Sequence, residues 1–185
     1  MPRRSLILLD RDGVLNEDSP DFIRSEEELS PIAGSLEAVG RLSRTGHTIA
    51  VVTNQSGLGR GLFDRAALDT IHDRLAAGVA AHGGRIDRFE VCPHLPEDGC
   101  RCRKPRAGLL EAAADRFGRA PADAILVGDR RSDLEAAQAF GCRAVLVRTG
   151  HGRDTERTLT TVRPDGIYDD LAAFVLDLLS GDAQP

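Results

Sequence analysis

Asp10 and Asp12 stand on either side of Arg11, just ahead of Gly13, at the end of a short apolar run. Residues two apart in extended chain point the same way, so the two carboxyls share one side. Such a pair is costly unless a cation or a proton separates it. Asp129, behind Gly128, ends another apolar run and could add a third oxygen ligand. Hard oxygen donors of this kind suit Mg²⁺, which keeps waters that a substrate phosphate can replace. One Asp alone would do no more than cap a turn. Three acids, each at the end of an apolar run, and Thr53 in the same situation make a constellation that turn-capping explains poorly.

A second group has metal-ligand spacing. Cys92-Pro-His94 and Cys100-Arg-Cys102 bracket a five-residue loop. Three thiolates and one imidazole complete a tetrahedral Zn²⁺ set, and four protein ligands leave no open position, so this zinc is expected to be structural. Cys142 has no such partners and reads as a small buried residue. Arg103 and Lys104 follow Cys102 directly. A loop held by zinc would aim both at a phosphate without the ordering cost of a flexible one. Arg101 and Arg106 complete a local basic cluster and read as solvated.

The elements that must position these groups alternate. Leu6–Leu9, His47–Thr53, Phe89–Cys92, Ala124–Val127 and Ala144–Val147 read as buried strands. Between them fall helices over Ser35–Thr45, a long one capped by Asp64 and ended at Gly83-Gly84, Gly108–Phe117 and Ser132–Phe140, with a terminal helix at Asp170–Leu179. Residues 149–164 read as loop, and the last six as frayed. The pattern predicts an α/β fold, a Rossmann-like parallel sheet with helices on both faces. In such sheets ligands bind beyond the carboxyl ends of the strands, where Asp10, Thr53, Cys92 and Asp129 fall. The gaps from Asp12 to the second strand and from Thr53 to Lys104 are too short for a cap domain of typical size. A single domain over residues 1–185, with an open site and a zinc-stapled loop, is expected.

Composition sets limits on partners. The chain has 185 residues, 41% hydrophobic and 29% charged, with 4% aromatics and no Trp, so the core must be aliphatic. A net charge of −5 argues against nucleic acid or an anionic membrane as partner, since both need a positive field. No run reaches the roughly 18 apolar residues of a membrane span. Arg3 and Arg4 before Leu6–Leu9 mimic a signal peptide, but the run falls short of an h-region of at least about 7 residues. A cytoplasmic protein is expected, and, without a heptad or a large apolar stripe, a monomer.

Asp10-Arg-Asp12-Gly-Val, then Thr53-Asn54, then Lys104-Pro, then Gly128-Asp129 with Asp133 resemble, in this order, the four motifs of the haloacid-dehalogenase-type phosphatases. The resemblance implies that Asp10 is a nucleophile that becomes an aspartyl-phosphate, and that Asp12 is the general acid and then the base. It implies that Thr53 and Lys104 hold the phosphoryl oxygens, and that Asp10, the Asp12 backbone carbonyl and Asp129 bind Mg²⁺. A phosphate dianion would meet two carboxylates there, and Mg²⁺ with Lys104 cancels three of those four charges. Asp12 must start protonated, so its anionic neighbours are expected to raise its pKa. The zinc motif, the stretch Thr53-Asn54-Gln55-Ser-Gly57 with Arg60-Gly61, and Val147-Arg-Thr-Gly150 resemble the branch of that family acting on a heptose bisphosphate for cell-surface polysaccharide. Asn54, Gln55, Arg103 and Arg130 are then candidate substrate contacts, with residues 18–21 bordering the sugar. The alternatives are a histidinol-phosphate phosphatase and a zinc-stapled module that only binds phosphate.

Overall fold

The computed structural model describes residues 4–182. β1 (Leu6–Leu9) is buried over its whole length, which is why it lacks polar alternation: both of its faces are covered. A single 3₁₀ turn at Glu26–Glu28 leads to α1 (Ser35–Arg44), which buries Ala38, Val39 and Leu42. β2 (Thr48–Asn54) is followed by a one-turn α2 (Ser56–Gly59) and by α3 (Arg65–Ala81). Asp64 caps α3 as its sequence position predicts, its carboxylate accepting the Ala67 N–H at 2.8 Å. Then come β3 (Arg88–Cys92), α4 (Gly108–Phe117), β4 (Ala124–Gly128), α5 (Arg131–Phe140) and β5 (Arg143–Val147).

The last part of the chain departs from expectation. Residues 149–164 are not all loop, because α6 (Gly152–Thr158) occupies the middle of them. A sixth strand, β6 (Gly166–Tyr168), precedes α7 (Leu171–Asp182). The fraying expected of the last six residues does not begin at residue 180, since α7 runs to Asp182; its remainder, like Arg3 at the start, lies outside the described residues.

The six strands pair in parallel, in the order β3-β2-β1-β4-β5-β6. β1 therefore lies in the middle, with Leu9 opposite Val51 of β2 on one side and Val127 of β4 on the other. Side chains alternate between two cores. Ile7, Leu9, Ile49, Val51, Ile125 and Val127 face α1, α3 and α7, while Leu6, Leu8, Ala50, Val52 and Leu126 face α4 and α5. Leu9 is fully buried, and Leu→Ala at such a place costs about 2–5 kcal/mol. The long connection from β1 to α1 does not form a separate cap: its Val14, Leu15, Ile23 and Leu29 are part of the first core. The chain runs outward from β1 to β3, then returns to the other side of β1 as β4. Such a reversal opens a crevice at the strand ends. No helix among the described residues is long and apolar enough to cross a membrane.

Candidate active site

The residue after each of β1 and β4, and the penultimate residue of β2, bring Asp10, Asp129 and Thr53 to one end of the sheet. Asp10 is held in place by its own N–H, which donates to Val127 O at 3.0 Å and so continues the β1–β4 ladder. Lys104 reaches the group from the loop before α4. It is 3% exposed, and a buried ammonium must find partners. Its Nζ donates to Val52 O at 2.8 Å and lies 2.9 Å from Asp10 Oδ1 and 2.7 Å from Asp133 Oδ1. An ammonium has three donors, so a phosphoryl oxygen that Lys104 takes up must replace one of the three. Burial would lower the Lys104 pKa, but Asp10 and Asp133 outweigh it and hold the group charged.

Asp133, of the fourth motif, supports Lys104 from α5. Its Oδ2 accepts the Arg130 N–H at 3.0 Å at the start of α5, and its other oxygen faces Lys104. Gly128 lets it pack, since a Cβ there would sit 2.3 Å from that of Asp133. Asp129 is fully buried. One oxygen, Oδ2, accepts the His151 N–H at 2.7 Å, while Oδ1 has no partner. Buried polar atoms are nearly always satisfied, and oxygens of Asp10, Asp129 and Asp133 lie within 4.8 Å of one another. The donor set therefore fits a divalent cation. Asp133 Oδ1, though without a hydrogen bond, is ion-paired with Lys104 at 2.7 Å, and Oδ2 accepts the Arg130 N–H, which leaves Asp10 and Asp129 the better placed carboxylate ligands.

Electrostatics follow from this crowding. Burial pushes the Asp10 carboxyl up to about 7, opposed by Lys104 and helped by Asp133 and Asp12. Burial, then Asp10 and Asp133, raise Asp129 to about 8. Asp12 does the reverse of what was expected. Burial raises it, but Arg11, Asn16 and Gln55 together prevail and its pKa is lowered. The cause is Arg11, which is 1% exposed. It folds back to place Nη2 at 2.8 and 3.0 Å and Nε at 3.0 Å from the Asp12 carboxylate. Asn16 Nδ2 and Gln55 Nε2 each donate to it at 2.8 Å.

Thr53, Asn54 and Gln55 reach the site as expected, but their polar atoms differ in use. The Thr53 hydroxyl accepts from Gln55 Nε2 at 3.0 Å, which leaves its own O–H to donate. Asn54 forms a reciprocal pair with the Lys104 backbone, both bonds 3.1 Å, and so fixes the lysine loop. Gln55 ties Thr53 to Asp12.

The four predicted zinc ligands come together. Sγ–Sγ separations are 3.3, 3.5 and 3.6 Å, and His94 Nδ1 lies 3.2 Å from Cys102 Sγ and 3.6 Å from Cys92 Sγ. Zn–S bonds of about 2.3 Å place sulfurs about 3.8 Å apart in a tetrahedron, so the cluster fits zinc with a small expansion. Cys142 stands apart from it and is only partly buried, packed at the edge of the second core rather than inside it.

Above these groups lies a cavity of about 740 Å³, within the range of small-molecule sites. Its upper wall includes Glu17, Asp18, Phe22, Ile23, Arg103, Arg130 and His151. Phe22 has φ +64°, a left-handed conformation uncommon for a bulky residue. Neither Phe22 nor His151 was singled out from sequence. A positive φ at Phe leaves no signature, and His151 stands in a stretch taken for loop.

Residues 101–174 match the HAD-hydrolase-like family. A D-glycero-β-D-manno-heptose-1,7-bisphosphate 7-phosphatase of Pseudomonas aeruginosa is 49% identical over 95% of this chain and 98% of its own length. The chain belongs to the heptose-bisphosphate phosphatase family of HAD-like hydrolases. Another member, from Mycobacterium tuberculosis and named for the α anomer, is 39% identical over 76% of this chain and 78% of its own. Among solved structures, the D,D-heptose 1,7-bisphosphate phosphatase of B. bronchiseptica, complexed with magnesium and phosphate, has TM-score 0.90 and 44% identity. It covers 96% of this chain and 99% of that one. The Pseudomonas aeruginosa and B. bronchiseptica proteins thus match over 95% and 96% of this chain.

Proposed function

We propose that the chain is a Mg²⁺-dependent phosphatase that removes the 7-phosphate from D-glycero-D-manno-heptose 1,7-bisphosphate and so supplies heptose for cell-surface polysaccharide. The observation that carries the reading is Asp10, set between Lys104 and Asp129 beneath an open cavity, in a chain aligned over almost its full length with enzymes named for this reaction. Five relatives named for the β anomer, at 40–49% identity, stand above those named for the α anomer at 39%, with one β-named relative below at 36%, and on that balance the β anomer is the substrate proposed.

In the first step an Asp10 oxygen attacks phosphorus and the bond to the sugar O7 breaks. The leaving oxygen takes a proton from Asp12. In the second, water attacks the phosphorus of the aspartyl-phosphate, Asp12 accepts its proton, and Asp10 and inorganic phosphate are released. With Arg11, Asn16 and Gln55 around it, Asp12 is set as the base of the second step. The negative charge of an arriving phosphate raises its pKa for the first. Thr53 O–H and Lys104 Nζ steady the phosphoryl oxygens. Asp10, Asp129 and the Asp12 backbone carbonyl would hold Mg²⁺, which would supply positive charge to offset the negative charge on the phosphoryl oxygens. Cys92, His94, Cys100 and Cys102 hold a structural zinc that fixes the loop carrying Arg103 and Lys104.

Histidinol phosphate is the competing substrate. It carries one phosphate and a cationic amine, which would meet the guanidinium groups of Arg103 and Arg130 at the cavity wall. Turnover of both heptose anomers and of histidinol phosphate, measured side by side with Mg²⁺, tests the proposal. The β-bisphosphate is expected to have the highest kcat/KM, and a preference for histidinol phosphate overturns it. Asp10→Asn is expected to lower kcat by about 10³-fold or more with the fold intact.

A further inference from the structure

Val147-Arg-Thr-Gly150 closes β5 and opens a strap, residues 149–155, that runs into α6. Its bonds go to the loops after β1 and β4. Thr149 Oγ1 donates to Gly13 O at 2.6 Å, the His151 N–H to Asp129 Oδ2 at 2.7 Å, and Thr155 Oγ1 to Asp129 O at 2.8 Å. The strap is itself fixed. The Gly152 N–H donates to Thr149 O at 2.8 Å, and Arg148 grips Glu156 of α6 through bonds of 2.8 and 2.9 Å. No side chain fits between strap and site. A Cβ on Gly150, which has φ +54°, would lie 2.6 Å from Gly13 Cα and 2.3 Å from Asp129 Oδ2.

We propose that this strap aims two of the ligands assigned to Mg²⁺ at once, Asp129 and the Asp12 backbone carbonyl, and that Thr149 and Thr155 are positioning residues for the metal. The inference rests on the Mg²⁺ reading above and goes beyond it, because it assigns metal affinity to two hydroxyls outside the ligand set. At Asp129 the strap holds the main-chain oxygen and one carboxylate oxygen. The side chain cannot turn, and Oδ1, which has no partner, is the oxygen left for a cation. At Asp12 the control is through the peptide plane. A trans peptide unit is flat, with its C=O and N–H pointing opposite ways. The Gly13 N–H donates to Asn16 O at 2.7 Å, so the Asp12 C=O of the same unit points away from Asn16. The next carbonyl, that of Gly13, is held by Thr149. Glycine is free to visit many conformations, and a bond on each side of Gly13 keeps the Asp12 carbonyl in one direction. Valine at 149 or 155 preserves the shape but leaves a carbonyl without its donor, and the loop no longer holds its ligand in one place.

The test titrates Mg²⁺ into the substrate-free protein by calorimetry. Thr149→Val and Thr155→Val are each expected to weaken Mg²⁺ binding about tenfold. Thr155→Ser, which keeps the hydroxyl, is expected to bind as the wild type does. Thr158→Val is the control, since the Thr158 hydroxyl also belongs to α6 but donates to Asp154 O and Thr155 O, and its loss should leave the titration unchanged. In turnover assays the valine variants should need about tenfold more Mg²⁺ for half-maximal rate, yet reach the wild-type kcat once Mg²⁺ is saturating. A purely structural loss would lower kcat at every Mg²⁺ concentration. Thr155 is buried and Thr149 half-buried, so Thr149→Val carries the test if Thr155→Val does not fold. Unchanged Mg²⁺ affinity in the valine variants, an equal loss in Thr155→Ser or Thr158→Val, or a lowered kcat that added Mg²⁺ does not restore overturns the inference. Failure of the Mg²⁺ reading shows separately, as absence of Mg²⁺ binding by the wild-type protein.

Discussion

Gly13 shows how much a single hydrogen in place of a side chain decides at this site. It has φ +82°, and a Cβ would lie 2.2 Å from Asp129 Oδ2. Gly13→Ala therefore has to push aside the carboxylate proposed to hold the metal. It is expected to lose about 10–100-fold in Mg²⁺ affinity, the usual effect of disturbing a ligand's support. Gly99→Ala is the control, because Gly99 also has a positive φ but nothing within 4 Å of its Cβ position. It should cost about 1–2 kcal/mol of backbone strain and leave Mg²⁺ titration unchanged. Several single residues were legible beforehand. Asp10, Thr53, Lys104 and Asp129 could be placed together because each follows a recognisable strand or motif. The sign at Asp12 was not, since nothing in the order Asp-Arg-Asp says whether the arginine turns to solvent or folds back. Asp18 and His151, 133 positions apart, meet only because the sheet brings their loops together.

Among the elements, the clip from Cys92 to Cys102, with its proposed zinc, is where stability and the proposed catalysis would meet. Lys104 lies two residues beyond Cys102, and its backbone is tied to Asn54. Removing the zinc, by a chelator or by Cys102→Ser, is expected to lower Tm by roughly 10 °C, as about 3–4 kcal/mol does in a chain of this length. It should lower kcat as well, because the lysine loop loses one of its two anchors. Metal analysis, thermal melts and turnover on the same preparations check this; unchanged kcat in zinc-free protein would separate the clip from the chemistry. The paired spacing made the clip readable, and runs such as Leu6–Leu9 and Ala124–Val127 made the central strands readable. α6 was missed because Gly-Arg-Asp-Thr-Glu-Arg-Thr has no apolar period, with only Gly152 and Thr155 buried. β6 was missed because it is three residues long, starts with Gly166 and lies at the sheet edge.

For the molecule as a whole, the crowded carboxyls make stability depend on pH and Mg²⁺ together. Asp10 and Asp129 are raised from 3.8 to about 7 and about 8, so the folded state holds protons that the unfolded state has released. Their contribution is complete below 3.8 and is lost as pH rises toward 8. His72, held down to about 3 by burial and by Arg11, acts in the opposite direction, but only below its ordinary value of 6.5. Between pH 6.5 and about 7 the two carboxyls dominate; above that Cys100, whose thiol despite desolvation is brought down to about 7 by the Arg103 N–H and the neighbouring thiols, opposes them. In buffers freed of Mg²⁺, Tm should fall across that window, and the rise produced by added Mg²⁺ should grow with pH, as melts at each pH will show. A flat response would mean that these groups ionise without cost. The strand order carries a last consequence, for biosynthesis. As the polypeptide leaves the ribosome, Leu6–Leu9 can acquire a neighbour on one flank once residue 54 has emerged, but the other flank stays bare until residue 128 follows. Until then the nascent protein carries an open apolar edge, and Asp10 and Asp129 meet only once residue 129 has been made.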